Sequence, residues 1–219
     1  LARTHYFVRV NDSNIEFNVK EIEQNLIEAA RTWEDKLTSA LVGSFGELRG
    51  RELCTKYVNA FPRSYKEEML PSDALVDIAK IEALSEDHPL EMLFYRPQEE
   101  HADSKAVRLN LFHKDHPIHL SDVLPMLENF GLRVIGETPY AVRCPEGSVS
   151  WVLNFSMELN GKVPLDFEVA QQLFQESFAK VWKGDLEDDG FNRLILGAGL
   201  TGREASLLRA FAKYKRQIG

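Results

Sequence analysis

Gly197-Ala198-Gly199-Leu200-Thr201-Gly202 spells G-x-G-x-x-G between the apolar run Leu194 to Leu196 and a helical pattern. In a dinucleotide site such glycines allow a tight turn and let the backbone approach a pyrophosphate at a helix N-terminus. That chemistry requires a whole βαβ unit with an acidic residue roughly 20 residues on, and the residues up to Gly219 do not include it. Phe191, Leu194, Ile195 and Ala198 also fit helical spacing, so the run before the glycines need not be a strand. His113, His116 and His119 form H-x-x-H-x-x-H around Asp115, a set of imidazoles and a carboxylate able to ligate a divalent metal. They fall on a predicted loop, without the i, i+4 presentation of a helical metal site, and loop solvation or backbone hydrogen bonding competes with metal there. Cys54 and Cys144 have no close spacing, which gives neither a disulfide framework nor a zinc signature. Neither cysteine has a recognisable histidine partner, there is no G-x-S-x-G elbow, and the carboxylates are scattered over predicted helical surfaces. No catalytic residue is nominated.

The elements that must position these residues centre on Val107 to Leu159, which reads as strand, helix, strand, strand. Val107, Leu109 and Leu111 alternate with Arg108, Asn110 and Phe112, a strand with one face more apolar than the other. The loop His113 to His119 follows. Leu120, Val123, Leu124, Leu127 and Phe130 give a helix one apolar stripe, and Gly131 suits its left-handed C-terminal cap. Strands are predicted over Val134 to Val142 and Val149 to Leu159; in the second, Trp151, Leu153, Phe155, Met157 and Leu159 share a face that helices must cover. Asp166 as N-cap opens a helix with Phe167, Ala170, Phe174, Phe178 and Val181 on one stripe, closing before Gly184.

Leu90 to Tyr95 is a further strand, and Pro97 to Lys105 loops it back as a hairpin. In a split βαββαβ sandwich the strand after the second helix pairs with the first strand; Leu90 to Tyr95 is positioned to take that edge instead. Upstream, Val19, Ile22, Leu26, Ala30, Trp33, Leu37 and Leu41 predict one long helix. Leu48, Leu53, Tyr57 and Val58 mark a second. Pro71 begins a third, with Leu75, Ile78, Ile81 and Leu84 as its stripe. His5 to Val10 looks like a strand with no partner before it, as expected of a piece of a longer polypeptide. Asp185 to Asp189 reads as an acidic linker, and Thr201 with Glu204 as a capping box opening a helix with Ala205, Leu208, Phe211 and Ala212 apolar. Arg209, Lys213, Lys215 and Arg216 complement the dipole at its end.

Composition narrows the classes. With 219 residues, 44% hydrophobic and 27% charged, the chain has room for one or two globular domains. A net charge of −8 argues against nucleic-acid binding as its main business, because that relies on phosphate neutralisation by Lys and Arg. No apolar run approaches the ~20 residues of a membrane span, and a cytoplasmic setting is the expectation.

Asp115-His116-Pro117-Ile118-His119-Leu120-Ser121-Asp122-Val123-Leu124, followed by Gly131-Leu132-Arg133-Val134, resembles an ACT-type regulatory domain. In that family the loop after the first strand often binds an amino acid, which makes Asp115, His116, Ile118, His119 and Ser121 the candidate effector loop. The usual loop carries a Gly after Pro; here the residue is Ile118. Three longer segments carry a second resemblance: Arg31 to Leu41 with Tyr57 to Glu67, then Leu120 to Val134, then Asp188 to Gln217. Together they resemble the large bacterial NAD-specific glutamate dehydrogenases, in the region before the catalytic domain.

The expectation is therefore an α+β chain: an ACT-like, ferredoxin-like split βαββα sandwich flanked by helical segments. Its divisions are the end of a preceding domain at 1–14, a helical segment at 15–86, the ACT-like domain at 87–184 and a helical segment at 185–219 leading toward a catalytic domain. The resemblance implies a parent enzyme that oxidatively deaminates glutamate with NAD, and a module here that holds no cofactor and no catalytic site. Its implied partners are other domains of the same chain, further copies of itself and an amino-acid effector. An amino-acid sensor built on the loop, and a metal-dependent enzyme using His113, His116 and His119, are the alternatives.

Overall fold

The computed structural model describes residues 18–97, 104–161 and 166–218. The predicted strand His5 to Val10 lies outside them. The long helix predicted from Val19 to Leu41 is two helices, α1 (Val19–Ala30) and α2 (Trp33–Phe45). Its break is a capping box: the Thr32 hydroxyl accepts from the Asp35 N–H, and the Asp35 carboxylate accepts from the Thr32 N–H. Because Ala30, Trp33 and Leu37 stay in phase across it, apolar spacing alone does not reveal the break.

Helix α3 (Glu47–Tyr57) lies so close to α2 that a Cβ at Gly50 would stand 2.6 Å from the Val42 Cα. Leu53 and Tyr57 are buried as the stripe requires, but Leu48 is 81% exposed. A short helix, α4 (Arg63–Glu68), follows. Pro71 then opens α5 (Pro71–Ala83), which buries Ala74, Asp77, Ile78 and Ile81.

The sheet is antiparallel, with β1 (Leu90–Tyr95), β2 (Ala106–Lys114), β3 (Leu132–Arg143) and β4 (Val149–Leu159) in the order β1-β2-β4-β3. Strand β1 pairs with β2 and takes the edge that the last strand of a split βαββαβ unit would fill. The sandwich is thus a permuted one, as the hairpin reading anticipates. Between β2 and β3 runs α6 (Leu120–Asn129), ending at Gly131 with φ +80°. After β4 comes α7 (Phe167–Lys183), capped by Asp166 and closed by Gly184 in the left-handed region.

Both faces of the sheet are covered. On one, Val107, Leu109, Leu111, Leu153, Phe155 and Met157 pack under α6 and α7. On the other, Phe112, Tyr140, Val142 and Val152 pack under the helical layer α2 to α5. Strand β2, read as having one face more apolar than the other, is buried on both sides: Asn110 and Phe112 face the helical layer while their neighbours face α6 and α7.

Beyond α7, a 3-10 turn (Gly190–Asn192) leads to α8 (Arg193–Ala198) and α9 (Gly202–Ile218). Ile195, Leu196 and Ala205 join the α7 core. The acidic segment is more than a linker, since Leu186 is buried there and Asp189 binds Arg209 through contacts of 2.7 and 3.0 Å. Arg209, assigned by position to the dipole at the helix end, is instead 3% exposed and also donates to Asn192. Leu208 and Phe211, assigned to the apolar stripe, are exposed. No helix among the described residues is long and apolar enough to cross a membrane.

Candidate functional site

The loop after β2 is shaped by its backbone. Asp115 has φ +67°, a left-handed conformation that Asp tolerates better than most side chains. Its N–H donates to the Val149 carbonyl at 2.8 Å, and the His116 N–H donates to the Lys114 carbonyl. His113 Nδ1 lies 3.0 Å from the His116 carbonyl oxygen. The side chains of Asp115, His116, His119 and Ser121 point into solvent, whereas Ile118 packs against the α6 and α7 core and ties the loop down. Among the described residues no three His, Cys, Asp or Glu side chains converge to hold a metal. His113, read as part of the loop, is paired within β2, while His116 and His119 lie in the loop, and the three do not share a centre. Helix α6 starts at Leu120 with no side chain capping it; the Asp122 N–H donates to the His119 carbonyl at 3.1 Å, so an anion at this helix start would meet the N–H groups of Leu120 and Ser121. Two clefts, of about 340 and 640 Å³, lie where α8 meets the end of β4 and between β1 and α7; neither includes the loop.

The G-x-G-x-x-G segment does not build a nucleotide loop. Residues 193–198 are helix rather than strand, and Gly199, at φ +67°, is the left-handed cap that ends it. Thr201 and Glu204 form the predicted capping box for α9. Gly202 serves packing: a Cβ there would meet Ser177 Oγ at 3.1 Å and the Leu186 side chain at 3.3 Å. The glycines terminate one helix and let the next approach α7. They do not fit a dinucleotide, because the strand that would aim a pyrophosphate at the helix is missing from these residues.

The contact between helical layer and sheet is polar at its centre. Tyr65 Oη donates to Asp77 Oδ2 at 2.7 Å, Asn110 Nδ2 donates to Asp77 Oδ1 at 3.3 Å, and Asn154 Nδ2 donates to Asn110 Oδ1 at 2.8 Å. Asn110 and Asn154 are register partners on β2 and β4. Burial pushes the Asp77 carboxyl up to about 6, against the pull of its hydrogen bonds from Tyr65 and Asn110. Two further tyrosines make similar ties. Tyr57 donates to Glu82 at 2.6 Å, and Tyr140 of β3 donates to Glu68 at 2.7 Å. Burial raises Glu82, but hydrogen bonds from Lys56 and Tyr57 and the nearby charges of Lys56 and Arg49 outweigh it and hold the carboxyl below its usual range. Sequence reasoning missed this network. Its signal is a polar residue inside each apolar pattern: Asp77 between Ala74 and Ile78, Asn110 between Leu109 and Leu111, Asn154 between Leu153 and Phe155.

Helix α1 has an internal counterpart. Asn18 accepts from the Glu21 N–H as Asp166 accepts from the Val169 N–H. Counted from those caps, Val19, Ile22, Leu26 and Ala30 occupy the offsets of Phe167, Ala170, Phe174 and Phe178. The α7 stripe is covered by the sheet, whereas Val19, Ile22 and Leu26 are 71%, 44% and 57% exposed. The sequence of α1 is that of a sheet-covering helix, and no sheet covers it among the described residues.

Comparison with known proteins accounts for this layout. The glutamate dehydrogenase ACT3 domain model matches residues 89–170, and the helical motif 2 model of the same family matches 40–84. Helical motif 3 matches 186–219 and the ACT2 domain matches 1–34, the stretch that contains α1. Over all 219 residues the chain is 41% identical to the NAD-specific glutamate dehydrogenase of Halomonas elongata and 38% identical to that of Pseudomonas aeruginosa. It is 36% identical over 211 residues to the NAD-specific glutamate dehydrogenase of Mycobacterium tuberculosis. The matches take in 100%, 100% and 93% of this chain but only 13%, 13% and 12% of the respective relatives.

Proposed function

The chain belongs to the NAD-specific glutamate dehydrogenases, as a stretch of their ACT-domain and helical-motif region, and from that premise we propose that it is a regulatory and assembly module. The parent reaction is the oxidative deamination of L-glutamate to 2-oxoglutarate and ammonia with NAD, in the cytoplasm, with NAD bound on another domain. Its partners are the other domains of the polypeptide and further copies of it. The observation that carries this reading is strand β2. It is buried on both faces, it joins the α6 and α7 layer to the helical layer, and it runs directly into the loop that begins after Lys114. An event at the loop thereby reaches helices on both sides of the sheet through one rigid element.

The test is made in the full-length enzyme, with Val19→Ser, Ile22→Ser and Leu26→Ser combined. Native mass and glutamate-dependent NAD reduction are measured together. A changed assembly or effector response with unchanged KM values for glutamate and NAD supports the reading; raised KM values with assembly and effector response intact contradict it.

A second reading, an amino-acid sensor, is favoured by the uncapped start of α6 beside Asp115, His116, Ile118, His119 and Ser121. The open N–H groups suit a ligand carboxylate. A thermal-shift screen of the amino acids decides it: at a hundred times its dissociation constant a ligand stabilises the fold by about 2.7 kcal/mol, and a flat screen removes the idea.

A further inference from the structure

Asp77 is a buried carboxyl that the proposed function does not use. Its side chain is 2% exposed, at the seam between the helical layer and the sheet. It receives hydrogen bonds from Tyr65 on α4 and Asn110 on β2. No ion pair to it occurs among the described residues; the cations on neighbouring elements are engaged elsewhere, Lys66 with Glu34, Lys80 with Glu91 and Arg108 with Ser156. The other groups facing it are Asn154 on β4, the Tyr95 hydroxyl on β1, the Tyr140 hydroxyl on β3, and Asp73 one turn earlier on α5. Those ionisable neighbours are phenols or an acid, and none supplies a positive charge. A carboxylate so placed is stabilised only by dipoles, and its desolvation favours the neutral acid.

We infer that Asp77 makes the seating of the helical layer on the sheet proton-linked, tighter when its carboxyl is protonated. Undocking the layer exposes Asp77 to water and returns it to an ordinary carboxyl; docking removes it from water again. The buried carboxyl is pushed up to about 6 from an ordinary value of 3.8. The sign follows from linkage: the docked state holds the proton at a pH where the open state has released it, so docking weakens as pH rises through about 6. The same carboxyl therefore gives the enzyme a response to mild acidification, through a region that carries no assigned catalytic residue.

Hydrogen exchange of the full-length protein tests this, read by mass spectrometry on peptides from α5, with intrinsic rates corrected for pH. In the wild type, α5 opens about fourfold less often at pH 5.5 than at pH 7.5, and in Asp77→Asn that difference is gone. An equal pH response in wild type and Asp77→Asn overturns the inference. So does an Asp77-dependent change of the same size in α6 and α7, which would place the proton's effect on the whole fold. Should Asp77→Asn fail to fold, Tyr65→Phe decides. Loss of that donor must move the midpoint of the wild-type response to higher pH, and an unmoved midpoint overturns the proposal. These outcomes are independent of whether the module regulates or assembles the enzyme.

Discussion

The two faces of one sheet are covered in different ways. Under α6 and α7 the core is apolar and aromatic: Phe94 and Phe174 lie 4.3 Å apart between ring centres, and Phe130 meets Phe174 edge-on at 5.1 Å. Under the helical layer Phe61, Phe112 and Trp33 are joined by three tyrosines, and Tyr57, Tyr65 and Tyr140 each donate a hydrogen bond to a carboxylate. Apolar packing is strong but does not depend on exact register, whereas a buried hydroxyl must find its one acceptor. The first cover belongs to the sandwich itself. The second is contributed by a separate sequence segment, and its polar ties fix where that segment sits.

Substitutions sharpen this contrast. The largest effect is expected from Phe174→Ala, which opens a cavity among the aromatic rings and costs about 3–5 kcal/mol. Urea unfolding should show that loss in the transition reported from α7, where Phe174 is buried. Tyr65→Phe keeps the ring and removes one donor from a buried carboxylate, at a cost of about 1–3 kcal/mol. Its effect should appear first in the exchange of α4 and α5, and a loss spread equally over α7 would erase the distinction between the covers. Ile22→Ser sits on the bare stripe of α1 and should change the stability of this chain by less than about 0.5 kcal/mol. A large loss there would mean that α1 is already covered within these residues.

The sandwich was legible because its signals are local. Asp166, Gly131, Gly184 and the Thr201–Glu204 pair each mark a helix end by chemistry that acts within a few residues, and all function as expected. The edge position of β1 followed from reading the polar segment Pro97 to Lys105 as a hairpin connection to β2. What escaped depends on distant partners. Nothing near Asn110 says that its exposed-looking face meets α5, and nothing near Arg209 says that Asp189 and Asn192 enclose it. The glycines of 197–202 misdirect for the same reason: a motif lists residue types, while its meaning rests on whether a strand or a helix precedes it. The candidate loop was visible as a loop, but the anchoring of Ile118 in the core was not.

The central claim is that the two covers are separable, with the helical layer the one that yields first. The chain contains three tryptophans, and two of them report on opposite covers: Trp33 packs in the helical layer, where its Nε1–H donates to the Met69 carbonyl at 2.9 Å, and Trp182 packs against the core under α7. Equilibrium urea unfolding at pH 7.5 is followed by fluorescence in one variant retaining only Trp33 and another retaining only Trp182. The Trp33 transition is predicted at the lower urea concentration, and coincident transitions would contradict the claim.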